Sequence, residues 1–147
     1  LGSVMYEQIK DLEAEGIGGL TLGADPIAYA TSLTCKLKGK IIHPFIVRKT
    51  PKDHGIIKWI EGNVKPEDRV IIIEDVITTG QSTMQAIERS REAGLKVIQI
   101  IALVDREEGG RQEISKHAYP FKAVFTRSEL IQAFLAKKNK RSAIGDS

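Results

Sequence analysis

Residues Val70 to Ser82, VIIIEDVITTGQS, carry an apolar run into two adjacent acids, then two threonines, a glycine and a serine. Ionised carboxylates only accept hydrogen bonds, so Glu74 beside Asp75 suits a vicinal diol or a hydrated cation. Thr78, Thr79, Gly80, Gln81 and Ser82 then bring backbone N–H groups and hydroxyls to the start of a helix. Unbonded amides and the helix dipole favour an anion there. A diol and a phosphate held a few residues apart describe a ribose phosphate. Taken singly, each residue would more simply cap a helix or end a strand. The full order of strand, acid pair, hydroxyl and glycine turn, and helix is what points to a ligand. Other nucleotide motifs fail: there is no Walker lysine signature, and GIGGLTLG has Thr21 where the dinucleotide fingerprint needs its third glycine.

These residues need elements to hold them. The period predicts the end of an amphipathic helix from about Val4 to Leu12, closed near Gly16. IGGLTLG follows as a strand and tight turn. ADPIAYATSLTCKLKG reads as a helix with Asp25 as N-cap, Pro26 at its first position and Gly39 after its end. IIHPFIVRK is a strand, and TPKDHGIIKWIEGNVKPED a long polar connection. RVIIIED is a strand buried on both faces and ended by its acid pair. QSTMQAIERSREAGL is a helix, KVIQIIALVDR a strand, GGRQEISKHA a short helix, FKAVFT a strand and SELIQAFLAKKN a capped helix. The resulting fold class is α/β, doubly wound, with a mainly parallel sheet and helices on both faces. Ligands in such sheets bind beyond the carboxyl ends of the strands, where all the chemically interesting clusters fall.

Bulk composition narrows the function. With 147 residues, 41% of them hydrophobic, the chain supports one core, expected as a single domain over 1–147 with a frayed tail over 139–147. A net charge of +3 suits an anionic small substrate and falls short of a nucleic-acid surface. The single cysteine excludes an internal disulfide and fits a reducing compartment. No apolar run approaches membrane-spanning length and no signal peptide opens the chain, so a cytoplasmic protein without membrane contacts is expected. No His/Cys cluster has metal-ligand spacing.

VIIIEDVITTGQS resembles the phosphoribosyl pyrophosphate (PRPP) signature of the type I phosphoribosyltransferases. The resemblance implies that Glu74 and Asp75 take the ribose hydroxyls. It also implies that Val76, Ile77, Thr78, Thr79, Gly80, Gln81 and Ser82 wrap the ribose phosphate. Gln81 stands where many members have a small residue or glycine.

RKTPKDHG gathers Arg48, Lys49, Lys52 and His54 just past a strand end. Charge runs in loops are usually solvated, but a leaving pyrophosphate needs cations where its charge develops. Arg supplies a forked donor, Lys a point charge, and His a donor or proton source. Pro51 and Gly55 bracket a segment able to close as a lid. This string resembles the catalytic loop of the orotate phosphoribosyltransferases, as do IEG at Ile60 to Gly62, GLTLGADPIA upstream, and VDREEGGR from Val104 to Arg111. In that family the residues matching Arg106 and Thr78 contact orotate; the plain alternative for Arg106 is a surface ion pair with Glu107 or Glu108.

The resemblance implies transfer of phosphoribosyl from PRPP to orotate, giving orotidine monophosphate and pyrophosphate. Magnesium would arrive on the substrate, with no dedicated protein site. A homodimer is implied in which the Arg48–Gly55 loop serves the partner's site. Two alternatives stay open: a purine-type phosphoribosyltransferase, and a non-catalytic PRPP-binding regulator. Relatives also carry, ahead of the segment matching Leu1, a portion that hoods the base and supplies a lysine. Nothing here matches it, so this chain is expected to bind PRPP and turn orotate over poorly.

Overall fold

The computed structural model describes residues 1–55 and 58–145. Ile56 and Ile57 of the long polar connection, and Asp146 and Ser147 of the tail, lie outside them. The order is α1 (Gly2–Ile9), β1 (Gly16–Leu20), α2 (Asp25–Leu37), β2 (His43–Val47), β3 (Ile60–Gly62) and β4 (Arg69–Ile77). It continues with α3 (Gln81–Glu92), β5 (Lys96–Asp105), α4 (Gly110–Lys116), β6 (Phe121–Thr126) and α5 (Arg127–Gly145).

The apolar run of β4 is continuous because helices cover both of its faces. Val70 and Ile72 point into one cluster with Phe45, Val47, Ile87 of α3, Ile100 and Ile114 of α4. Ile71 and Ile73 point into the other with Met5 and Ile9 of α1, Ile27 and Cys35 of α2, and Ile101. Alternation along one strand therefore feeds two cores, which is the doubly wound arrangement expected. Strand order is β3-β2-β1-β4-β5-β6. β1 is parallel to β2 and β4, β4 to β5, and β5 to β6, while β3 runs antiparallel to β2. From β1 the chain winds outward to β2 and β3, then returns to add β4, β5 and β6 on the other side. The reversal opens a crevice beyond the carboxyl ends of β1 and β4, where ligands bind in such sheets.

Four local readings need correction. β4 does not end at the acid pair; it continues to Ile77, whose side chain is buried against α4. The long polar connection contains β3, three residues too short to show a period, paired through Phe45 with Gly62 and Val47 with Ile60. Asp25 is the first residue of α2, not its cap, and its carboxylate accepts the Thr21 hydroxyl at 2.6 Å. α5 continues to Gly145, because no proline or internal glycine interrupts it, although none of its residues is buried. Among the described residues no helix is long and apolar enough to cross a membrane.

Candidate active site

The acid pair is split by the pleat. Glu74 faces α3 and is buried, 7% exposed; its Oε2 accepts the hydroxyls of Ser82 at 2.8 Å and Thr83 at 3.0 Å. Burial pushes the Glu74 carboxyl above its ordinary value, with the neighbouring Asp75 adding to the rise and the two hydroxyls opposing it. Asp75 faces the other way, towards the β1–α2 turn, and one of its oxygens accepts the Val76 amide at 2.8 Å. Gly23 makes that position possible, since a Cβ there would lie 2.6 Å from the Asp75 Cγ. A cis peptide joins Thr21 to Leu22 in the same turn.

Only Thr78, Thr79 and Gly80 form the turn itself. Val76 and Ile77 are strand residues, and Gln81 and Ser82 begin α3. Gly80 sits at the N-cap with φ 87°, a left-handed conformation that glycine adopts without penalty. No side chain caps the helix. Its first amides and the positive end of its dipole therefore face the turn, an anion cradle made of backbone. The Ser82 hydroxyl, read as part of the phosphate wrap, donates to Glu74.

The β5–α4 segment is tied to this turn. The Arg106 amide donates to Ile77 O at 3.0 Å and the Gly110 amide to Thr78 O at 2.8 Å. Arg106 thereby sits beside Thr78, with its guanidinium exposed and 3.0 Å from Glu108. It lines an apolar groove of about 320 Å³ with Val104, Arg127, Leu130, Ile131 and Phe134.

The cationic loop begins directly after β2. β2 and β4 flank β1, so the loop base and the acid pair stand about 10 Å apart along one sheet edge. The loop folds as a hairpin, with the Arg48 amide donating to Trp59 O at 2.8 Å and the Lys52 amide to Lys58 O at 2.7 Å. Arg48 and Lys52 converge on Glu61 of β3, while Lys49 and His54 are exposed. Arg89 of α3 stacks on the Trp59 ring, 4.1 Å from its centroid, and donates to Arg48 O at 2.5 Å.

Proteins similar to this chain share its fold. The chain is 49% identical over 131 residues to orotate phosphoribosyltransferase of Aquifex aeolicus, covering 89% of this chain and 72% of that protein. The chain belongs to the orotate phosphoribosyltransferase family. No family model matches it. The crystal structure of orotate phosphoribosyltransferase from Mycobacterium tuberculosis with Fe(III) dicitrate superposes with a TM-score of 0.80 at 35% identity, over 88% of this chain and 72% of that one. The same enzyme in complex with PRPP gives 0.75 at 32% identity, with the same two coverages.

Against the orotate phosphoribosyltransferase pattern, four residues escaped the sequence. Thr83 was legible in principle, being a hydroxyl one place beyond Ser82. The contacts of Gly23, Glu61 and Arg89 were not: Gly23 and Glu61 lie in stretches that carry the family resemblance, but only the fold brings these three to Asp75, to Arg48 and Lys52, and to Trp59.

Proposed function

We propose that this chain is a single phosphoribosyltransferase core domain, cytoplasmic and homodimeric, that transfers phosphoribosyl from PRPP to orotate. The observation that carries the proposal is the acid pair and the uncapped α3 amino terminus meeting at the crevice between β1 and β4. There a carboxylate and a backbone anion cradle stand a few residues apart, as a ribose phosphate requires. The 32% identical orotate phosphoribosyltransferase structure in complex with PRPP supports the same donor.

In this mechanism the sugar C1–oxygen bond to pyrophosphate breaks, the electron pair leaves with pyrophosphate, and an orotate ring nitrogen takes the vacated position as its proton passes to the departing pyrophosphate. Thr78, Thr79, Gly80 and the first amides of α3 hold the ribose phosphate, with Val76, Ile77, Gln81 and Ser82 shaping that wrap. Asp75, and Glu74 behind it, accept the ribose hydroxyls and so fix the sugar as positive charge develops on it. Arg48, Lys49, Lys52 and His54 meet the departing pyrophosphate from the β2–β3 hairpin. Arg106 and Thr78 orient orotate, Arg106 exchanging Glu108 for the substrate carboxylate. No residue need act as a covalent nucleophile.

Among the described residues no group of three or more His, Cys, Asp or Glu side chains gathers as for a metal. Asp75 holds the Val76 amide and Glu74 two hydroxyls, a donor set that suits an ion keeping its water and its substrate oxygens. Magnesium bound with PRPP would supply charge neutralisation on the pyrophosphate. Support for a dimer comes from Tyr29, Leu33 and Leu37, an exposed apolar row one turn apart on α2. The test is turnover with orotate, PRPP and magnesium, with uracil and purine bases as controls. Orotidine monophosphate from orotate alone is the expected product; consumption of a purine base instead would move the chain to another specificity.

A further inference from the structure

We propose that Glu61 is a positioning residue for pyrophosphate: an exchangeable counter-anion that holds Arg48 and Lys52 together and yields them to the polyanion. This rests on the phosphoribosyl-transfer reading above. One Glu61 oxygen is shared by both cations; Arg48 Nη1 bonds it and Lys52 Nζ lies 3.8 Å away. Two positive side chains brought to one point repel each other, and a carboxylate between them offsets that cost. The same carboxylate must compete with any phosphate that approaches them.

Exchange is cheap for two reasons. The Arg48 and Lys52 side chains are each 34% exposed and that of Glu61 42%, so water screens the pairs and their net strength is small. The loop backbone is also held without Glu61. The Arg48 amide donates to Trp59 O, and Arg89 donates to Arg48 O while stacking on Trp59. Lys52 Nζ has a second acceptor in Ile60 O at 3.1 Å, and Arg48 Nε has Thr50 O at 3.0 Å. The side chains can therefore turn from Glu61 to a ligand while the hairpin base stays in place. A buried or singly anchored pair would lack that freedom.

The test is calorimetric titration of magnesium pyrophosphate, and of PRPP, into the full chain and into Glu61→Gln. Glu67→Gln is the control: it removes an equal charge from an ion pair with Lys96 at the amino ends of β4 and β5, away from the strands' carboxyl ends. Losing the competitor should tighten pyrophosphate about twofold to fivefold, with a matching fall in kcat wherever product release limits turnover. Glu67→Gln should leave affinity unchanged. In an Arg48→Met, Lys52→Met background, Glu61→Gln should have no further effect, because the carboxylate acts only through those cations. Unchanged or weaker binding by Glu61→Gln, beside a wild-type chain that binds, overturns the exchange role alone. Failure of the wild-type chain to bind either ligand overturns the transfer reading, and the role of Glu61 with it.

Discussion

Glu74 and Asp75 are neighbours in sequence with opposite environments, and their substitutions should separate. Asp75 is half-buried on the crevice side, where it is proposed to accept ribose hydroxyls. Asp75→Asn replaces a charged acceptor by an amide that is acceptor at one atom only. PRPP affinity should fall by about 1.5–3 kcal/mol, the worth of a hydrogen bond to a charged group. Calorimetric titration measures this, and unchanged affinity would remove Asp75 from the site. Glu74 instead bears on pH. Its folded-state pKa is raised above the ordinary 4.5. Its contribution to stability is therefore full below that value and is lost as pH rises through the raised one. Glu74→Gln should abolish that part of the decline, because the amide has no charge to bury. Urea unfolding of both proteins over a pH series starting near 4.5 would show the two curves converging at the acid end. Parallel curves would mean that Glu74 does not titrate in this window.

At the scale of elements, the site depends on how β4 gives way to α3. Glycine at position 80 lets the chain turn left-handed and start the helix with its amides uncovered. A Cβ there would adopt φ 87° and meet Gly110 O at 3.2 Å. Gly80→Ala should cost about 1–2 kcal/mol of stability, the price of the left-handed conformation. It should also weaken PRPP binding, since the Gly110–Thr78 hydrogen bond would shift with the turn. Urea unfolding and titration on the same sample would test both, and an unaltered midpoint would show that the turn tolerates a side chain. The β2–β3 hairpin is the second such device. It converts a polar connection into an arm whose cations leave from one ordered base.

At the scale of the whole molecule, the winding reversal between β1 and β4 gathers three segments far apart in sequence along one sheet edge. The loop after β2 is the outlying member of that set, at the margin of the domain. In the proposed homodimer, a loop so placed would serve the partner copy, with the exposed row on α2 as the proposed contact. Mixing a Lys52→Ala chain with an Asp75→Asn chain should then partly restore activity, because each mixed dimer retains one site with both residues intact. Assays of verified mixed dimers check this, and no rescue would argue for self-contained sites.

Much of this was legible in the residues themselves. The apolar run of β4, the helix periods and the acid, hydroxyl and glycine order all follow from local chemistry, so the alternating architecture and the turn that carries β4 into α3 could be read directly. The proximity of Arg106 and Thr78 depends instead on the parallel pairing of β4 with β5. Other features depended on distance through the fold. Only packing decided that Glu74 would be buried under Ser82 and Thr83 while Asp75 rested on Gly23. Three residues of β3 carry no period, and their pairing with β2 alone makes them a strand. Glu61 belongs to a stretch that carries the family resemblance, yet only that pairing brings it to Arg48 and Lys52. Local sequence specifies backbone preference and the faces of an element; which distant side chains meet is set by strand order and register, and those emerge only when both cores close.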